Sequence, residues 1–207
     1  MSRLVIVGAR AMGRETCAYA QESGIVVKGF LDDNFNALDD FNGYPKILNS
    51  VENYIVENED VFVIALGDGE LRKKYAEIIK AKGGKFINVV HPSAYIGKNV
   101  KLGEGCIICP NVIITNDTTI GRHVVINVGS TINHDNQIGD YVTICPGCHL
   151  AGRIVLKESV FLGTAVTLIP DIVLGKDVYV AAGAVVVKSY QSGRLMGVPA
   201  RLIEKDC

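Results

Sequence analysis

An apolar residue recurs at every sixth position from Val90 to Val180, and the pattern is never interrupted. All sixteen of these positions hold Ile, Leu or Val, and the fifth position of each hexad is mostly small or β-branched. Three hexads form one coil of a triangular β-helix, so residues 18 apart in the sequence stack in columns. Glycine is frequent at the second position, where we expect it to let each corner turn. The pattern predicts a left-handed parallel β-helix over residues 90–187.

Residues 1–89 lack this period and alternate short apolar runs with helical patterns. We predict strands over residues 4–7, 25–31, 61–66 and 85–90, and helices over 12–23 and 71–82. Strands separated by helices indicate a Rossmann-like α/β domain with a parallel sheet. Such sheets bind ligands at the carboxyl ends of their strands, which here carry Gly8, Asp32, Asp33, Gly67 and Asp68. Residues 188–207 are predicted to be a C-terminal tail that packs on the β-helix.

The first turn of the α/β domain runs from Gly8 to Gly13. Arg10 stands where the dinucleotide fingerprint G-x-G-x-x-G has its second glycine, so a redox dinucleotide has little support. A glycine turn before a helix can still receive a phosphate or a nucleotide at the helix N-terminus. The sequence leaves this interpretation open beside that of a plain structural turn.

The formal net charge of −1 gives no electrostatic support for a nucleic-acid partner. The apolar run at the N-terminus is too short for a signal peptide or a membrane span, so we expect a cytoplasmic protein with no membrane partner. Two Cys-x-x-Cys pairs, Cys106/Cys109 and Cys145/Cys148, could indicate a metal or redox site. Cys109 and Cys145 share a column but lie two coils apart, roughly 10 Å, which is too far for a shared metal. We therefore predict buried, unreactive thiols.

The column register singles out His134 as a candidate general base. Such a base needs a partner that fixes its tautomer, and Asp135 follows it directly. Asn116 lies one coil below His134 and Gly152 one coil above it. A residue without a side chain leaves space and a backbone N–H where a thioester carbonyl could lie. Register alone leaves two interpretations open, a catalytic base and an exposed surface histidine.

Neighbouring positions give further expectations. Asn136 is the one clear polar intrusion at the fifth hexad position. Arg153 shares a column with Asp117 and Asp135 and is expected to offset their two charges. The remaining histidines are His91, expected to be structural, and His123 and His149, both expected at the surface.

The hexads, His134-Asp135 and the segment Gly197–Arg201 together resemble the hexapeptide-repeat acyltransferases. The turn from Gly8 to Gly13, Phe30–Asp33 and His91–Ala94 extend the resemblance over nearly the whole chain. The chain resembles the sugar acetyltransferase family that includes the UDP-amino-sugar N-acetyltransferases of bacillosamine synthesis and the sialic acid O-acetyltransferases.

This resemblance implies a direct transfer of an acetyl group from acetyl-CoA, the co-substrate, to an amine or hydroxyl of a sugar, most simply a nucleotide-linked amino sugar. It implies that His134 is the general base and that Asp135 is the acidic residue beside it. It also implies a homotrimer that binds acetyl-CoA between subunits, along positions that match Gly152, Thr164 and Gly183. Nucleotide-sugar binding falls to the α/β domain, at the strand-end residues Gly8, Gly13, Asp32, Asp33 and Gly67.

One departure and two alternatives remain. Many relatives have a histidine in the first turn, where this chain has Met12, so the acceptor is less defined than the acyl donor. The γ-type carbonic anhydrases share the β-helix, but no two histidines here are five apart, so no metal is expected. A sialic acid-type O-acetyltransferase and a non-catalytic trimeric scaffold that senses nucleotides are the alternative functions.

Overall fold

The computed structural model describes residues 2–203, and its N-terminal part is a five-stranded parallel sheet in the order β3-β2-β1-β4-β5. Its elements are β1 (Arg3–Val7), α1 (Ala11–Glu22), β2 (Val27–Leu31), β3 (Ile47–Asn49), β4 (Asp60–Ile64), α2 (Gly69–Ala81) and β5 (Lys85–Phe86). Met1 and residues 204–207, the end of the predicted tail, lie outside the described residues. Across residues 2–203, no helix has the length and apolar character needed to cross a membrane.

Two features of this sheet differ from the predicted strands. The edge strand β3 was not predicted, because three residues after a long polar segment carry too little periodicity. The predicted strand over residues 85–90 is divided between the two parts of the chain. Lys85–Phe86 pairs with β4, whereas Val89–Val90 pairs with Ile107–Ile108 and begins the β-helix.

The second part is a parallel β-helix with three faces, in which strands 18 residues apart pair in register. Face 1 contains Val89–Val90, Ile107–Ile108, Val125–Ile126, Thr143–Ile144, Phe161–Leu162 and Tyr179–Val180, extended by Arg194–Met196 and Arg201–Ile203. Face 2 contains Tyr95–Ile96, Ile113–Ile114, Thr131–Ile132, His149–Leu150, Thr167–Leu168 and Val185–Val186. Face 3 contains Lys101–Leu102, Thr119–Ile120, Gln137–Ile138, Val155–Leu156 and Val173–Leu174. The predicted fold class, a Rossmann-like sheet followed by a parallel β-helix, is confirmed.

The corners of the β-helix turn at the fourth hexad position. Every sixth residue from Asn99 to Gly183 has a φ between 55° and 74°, and eleven of these fifteen residues are not glycine. Six of the eleven are Asn or Asp, the residue types that enter the left-handed region most readily after glycine.

Glycine at the second position therefore has a different role from the one predicted. A Cβ at Gly103 would lie 2.6 Å from the backbone of Gly121, and one at Gly163 would lie 2.6 Å from the backbone of Ala182. These glycines do not have positive φ angles. They allow successive coils to approach closely, while the turn itself is made two residues later.

A buried arginine joins the α/β domain to the β-helix. Arg72 on α2 is fully buried, and its guanidinium donates hydrogen bonds to four backbone carbonyls. One carbonyl belongs to Leu66, and the others belong to His123, Tyr141 and Val142 of the β-helix. Burial is the main cause that lowers the pKa of Arg72 to about 10. The guanidinium thus fixes α2 against the corner between faces 3 and 1.

The expectation that His123 lies at the surface is wrong. His123 is 3% exposed, stacks on Tyr141 with ring centroids 5.3 Å apart, and meets the edge of Phe86. Burial, followed by the charges of Arg72 and Arg122, lowers its pKa to about 4. The hexad register placed this side chain outside the coil correctly, but it could not show that the α/β domain covers that corner.

The α/β domain also covers the first coils of face 1. The outward side chains of Ile107, Val125 and Thr143 are buried, whereas Phe161 and Tyr179 further along the same face are partly exposed. Thr143 donates a hydrogen bond to the carbonyl of Gly67. The α/β domain therefore lies on face 1 and the adjacent corner 3/1, and leaves faces 2 and 3 uncovered.

Candidate active site

His134 and Asp135 form a hydrogen-bonded pair at the corner between faces 2 and 3. Nδ1 of His134 lies 2.7 Å from Oδ2 of Asp135, and both side chains are about half exposed. Asp135 adopts the left-handed backbone of the corner, with φ 61°, which turns its carboxylate back toward the preceding ring. Because a carboxylate can only accept, Nδ1 carries the proton and Nε2 is an unprotonated acceptor.

The ring of His134 lies against the backbone of Gly152. A Cβ on Gly152 would be 2.5 Å from Cε1 and 2.9 Å from Nε2 of His134. The space that we expected to be free above His134 is thus occupied by the imidazole itself. No acceptor within residues 2–203 binds the Gly152 N–H, so this donor remains available beside the histidine.

The expected role of Arg153 is not the one in the structure. Arg153 makes a two-pronged ion pair with Asp171 one coil above, with N–O distances of 2.7 and 2.9 Å. Asp117 accepts from the side-chain amide of Asn99 instead. Asp135 therefore keeps its carboxylate for His134, and the acids of this column are not paired with a single arginine.

The three residues expected to contact acetyl-CoA lie at two different corners of the chain. Gly152 is at corner 2/3, whereas Thr164 and Gly183 are together at corner 1/2, where the Gly183 N–H donates to the Thr164 carbonyl. Both Thr164 and Gly183 are exposed. Face 2 separates these two groups within one chain.

A cavity of about 680 Å³ opens at the carboxyl ends of the strands in the α/β domain. Gly8, Asp32 and Asp33 line it as expected, and Arg10 and Tyr75 line it as well. Neither Arg10 nor Tyr75 was predicted as a site residue. Tyr75 comes from α2, far along the chain, and only the α-helical period of residues 71–82 could have suggested that it faces the sheet.

The two aspartates of this cavity have different environments. Both oxygens of Asp32 accept backbone N–H groups, one from Ala9 at 2.8 Å and one from Asn34 at 2.9 Å. Asp33 is exposed, and its carboxylate lies 3.3 Å from the Tyr75 hydroxyl. Burial, followed by the charge of Asp33, raises the pKa of Tyr75. Asp32 thus holds the first turn in place, while Asp33 remains able to bind a ligand.

The first turn itself is built for close packing and leaves a helix N-terminus open. Gly8 has φ +95°, and a Cβ on Gly13 would collide with the Gly8 carbonyl. Gly13 is therefore required by packing beneath the cavity and does not line it. Arg10 at the N-cap of α1 provides no side-chain cap, and the first turn contains no acidic residue. The N–H groups at this end are favourable for an anion.

Gly67 does not line this cavity. It lies on the other side of the loop between β4 and α2, in a cavity of about 440 Å³ whose aromatic lining is Phe161 and Tyr179. The two rings stack with centroids 5.0 Å apart. The strand-end rule placed Gly67 at the correct edge of the sheet but not in the same cavity as Gly8.

The remaining histidines and cysteines make local contacts. His91 bridges Glu22 of α1 and Ser93, both at 2.8 Å, and exposed His149 contacts Thr131. Four cysteines, Cys17, Cys106, Cys109 and Cys148, are buried, and Cys145 is partly exposed. Burial raises the pKa of each of these five thiols. In the part of the chain that the structure describes, no group of three potential metal ligands comes together.

Comparison with known proteins adds to this geometry. Residues 3–79 match the family described as the PglD N-terminal domain. The UDP-N-acetylbacillosamine N-acetyltransferase of Bacillus subtilis is 36% identical over 82 residues, which are 38% of this chain and 37% of that protein. The match thus spans little more than a third of the length of this curated relative.

Solved structures match both parts of the chain together. The acetyltransferase domain of PglB from Neisseria gonorrhoeae superposes with a TM-score of 0.90 at 25% identity and covers 98% of this chain and 100% of its own. The resemblance to the sugar acetyltransferases is confirmed. PerB from Caulobacter crescentus, in complex with CoA and GDP-perosamine, superposes with a TM-score of 0.91 at 29% identity, covering 99% and 98% of the two chains. WeeI from Acinetobacter baumannii has a TM-score of 0.89 at 29% identity, covering 98% and 100%.

Proposed function

We propose that this protein transfers an acetyl group from acetyl-CoA to the amino group of a nucleotide-linked amino sugar. The observation that carries the proposal is the His134–Asp135 pair, whose ring lies against the free N–H of Gly152. This corner offers a proton acceptor and a hydrogen-bond donor within one small exposed site. An acyl transfer to an amine requires these two groups and no metal.

The relatives support the choice of substrates. One similar structure is a complex of CoA with GDP-perosamine, a second PglB structure contains acetyl coenzyme A, and the curated relative is an N-acetyltransferase of a UDP-sugar. All three favour an amine over a hydroxyl as the acceptor. The cavity of the α/β domain fits the nucleotide part, with the α1 N-terminus available to the diphosphate.

The chemistry follows from the tautomer of His134. Asp135 holds the proton on Nδ1, so Nε2 accepts the proton that the amine loses as its nitrogen attacks the thioester carbon. The Gly152 N–H stabilises the negative charge that develops on the thioester oxygen. The carbon–sulfur bond then breaks, and the CoA sulfur takes the proton back from Nε2. The products are an N-acetyl sugar and CoA with its free thiol.

We further propose that the protein acts as a homotrimer with its acetyl-CoA site between neighbouring chains. The separation of Gly152 from Thr164 and Gly183 supports this arrangement, because corner 2/3 of one chain and corner 1/2 of another could form one groove. Apolar side chains are also exposed on face 2 and its two corners, namely Tyr95, Ile113, Val128, Ile169 and Val187. Such an exposed apolar surface is typical of a protein–protein contact.

The proposal is tested by the release of CoA thiol from acetyl-CoA with a panel of UDP- and GDP-linked amino sugars. We expect His134→Ala to lower kcat by roughly 10²- to 10⁴-fold, the usual contribution of a general base, while acetyl-CoA binding and the oligomeric state stay unchanged. Asp135→Asn should also lower kcat, because the histidine loses the carboxylate that fixes its tautomer. The matched control is Asp171→Asn, which changes the same acid two coils further along the same column and should leave kcat unchanged. A fully active His134→Ala variant contradicts the assignment of the base, and a wild-type protein that neither binds CoA nor releases it favours a scaffold.

A further inference from the structure

A buried amide lies inside the corner that carries His134. Asn136 is 1% exposed, and all three of its side-chain hydrogen bonds go to the backbone. Its Nδ2 donates to the carbonyl of Asn133 at 2.8 Å and to that of Ala151 at 3.0 Å. Its Oδ1 accepts the N–H of Ile154 at 2.6 Å. No polar atom of this side chain is left without a partner.

These three bonds reach the peptides on either side of the reacting groups. Asn133 directly precedes His134, and Ala151 directly precedes Gly152. Ile154 closes the corner that contains Gly152. One side chain therefore fixes the height of the His134 corner relative to the Gly152 corner above it, and so the contact between the imidazole and the Gly152 backbone.

The coil below adds a second donor to the same point. The Thr118 hydroxyl donates to the Asn133 carbonyl at 3.0 Å, so this carbonyl accepts two buried hydrogen bonds. The Asn136 N–H in turn lies 3.4 Å from the Thr118 hydroxyl. Thr118 and Asn136 thus form a polar ladder inside corner 2/3, in a column that otherwise holds Val100, Ile154 and Ile172.

Another corner shows what the same hexad position does without a histidine beside it. Ser130 in corner 1/2 donates to the Cys145 carbonyl at 3.1 Å and accepts the Cys148 N–H at 3.2 Å. Asn136 makes the equivalent two bonds to Ala151 and Ile154, and adds the third bond to Asn133. The additional bond is the one that holds the peptide before His134.

We propose that Asn136 is a positioning residue that sets the distance between the His134 imidazole and the Gly152 N–H during acyl transfer. The inference rests on the proposed function of that corner and extends it to a side chain that does not touch either substrate. General bases must be held within a fraction of an ångström of their working position, because a misplacement of about 1 Å can cost roughly a hundredfold in rate.

The first test compares Asn136→Val with Ser130→Val. Valine already occupies this hexad position at Val112, Val142 and Val160, so both variants place a side chain that the fold accepts. Each variant removes buried hydrogen bonds, so both should lower the melting temperature. We expect Asn136→Val alone to lower kcat, by roughly tenfold to a hundredfold, while the KM for both substrates changes little. Equal kcat values for the two variants overturn the proposal.

A second readout separates positioning from a general loss of folded protein. In a His134→Ala background, Asn136→Val should cause no further fall in kcat, because the residue acts through the base that is now absent. The same proportional fall in both backgrounds contradicts the proposal. Asn136→Thr supplies a conservative variant, since it introduces the side chain that the ladder already has at Thr118. We expect this variant to recover part of the lost kcat, and it keeps the test valid if Asn136→Val does not fold.

The outcome also distinguishes this inference from the proposed function. If wild-type protein releases no CoA with any acceptor, the proposed function fails. If wild-type protein is active and Asn136→Val and Asn136→Thr are both as active as Ser130→Val, the function stands and the positioning role of Asn136 is refuted.

Discussion

Gly152→Ala is the substitution that tests the contact between the histidine ring and the neighbouring coil most directly. The new Cβ would lie 2.5 Å from Cε1 of His134, whereas ordinary contacts begin at 3.4 Å. The ring must therefore move by about 1 Å, which corresponds to roughly a hundredfold loss of kcat, or about 2.7 kcal/mol.

Stability should respond differently from activity. Gly152 does not have a positive φ, and the three nearest atoms to the new Cβ belong to a half-exposed side chain that can rotate away. The substitution also reduces the freedom of the unfolded chain, which contributes about 0.4–1 kcal/mol in favour of the native state. We expect the melting temperature to stay near that of the wild type while kcat collapses.

Gly139→Ala is the matched control for this experiment. Its Cβ would lie 2.8 Å from the backbone of Glu158 and Lys157 at corner 3/1, away from the candidate site. Backbone cannot rotate aside, so this variant should lose about 1–3 kcal/mol of stability and keep its kcat per folded molecule. Stopped-flow or steady-state CoA release, together with thermal melts, measures both quantities. A Gly152→Ala variant with the kcat of the wild type would refute the argument that the imidazole works from its observed position.

Two further predictions concern the junction between the domains. Arg72→Ala removes a buried guanidinium and leaves four carbonyls without their donor, so chemical denaturation should show a loss of about 3–5 kcal/mol; a loss below about 1 kcal/mol would contradict this. The pKa of His123 is lowered to about 4, so the unfolded state binds its proton first as the pH falls. The unfolding free energy should therefore decrease by about 3 kcal/mol between about pH 6.5 and pH 4. His123→Phe should flatten this part of the curve, and parallel curves for the two proteins would disprove the assignment.

The β-helix could be predicted almost completely because its structure repeats with its sequence. A strict six-residue period fixes which side chains point inward, and a column spacing of 18 residues fixes which ones stack. The reason for the glycines was nevertheless misassigned. A sequence shows that a small residue is required, but it does not show whether a φ angle or a close approach requires it, as Gly103 and Gly163 illustrate.

The α/β domain and its contacts were harder to predict because they depend on pairs that are distant in the sequence. The register correctly placed His123 outside the coil, yet α2 covers that position and buries the ring. Tyr75 and Arg10 reach one cavity from separate elements, and no local pattern connects them. Asn136 was recognised only as a polar intrusion, since its hydrogen bonds to two corners follow from three-dimensional geometry.

The column register measures positions along the axis of the β-helix but not around it. It placed Gly152 next to His134, because both lie at corner 2/3, but it could not show that Thr164 and Gly183 lie across face 2. The α/β domain covers face 1 and corner 3/1, so its cavity is on the side of the β-helix that faces away from the candidate base. A proton acceptor and an acceptor-sugar cavity that serve one reaction are thus separated within a single chain. Symmetry brings them together at no further cost in sequence, because each neighbouring copy supplies the part that the first copy holds on its far side.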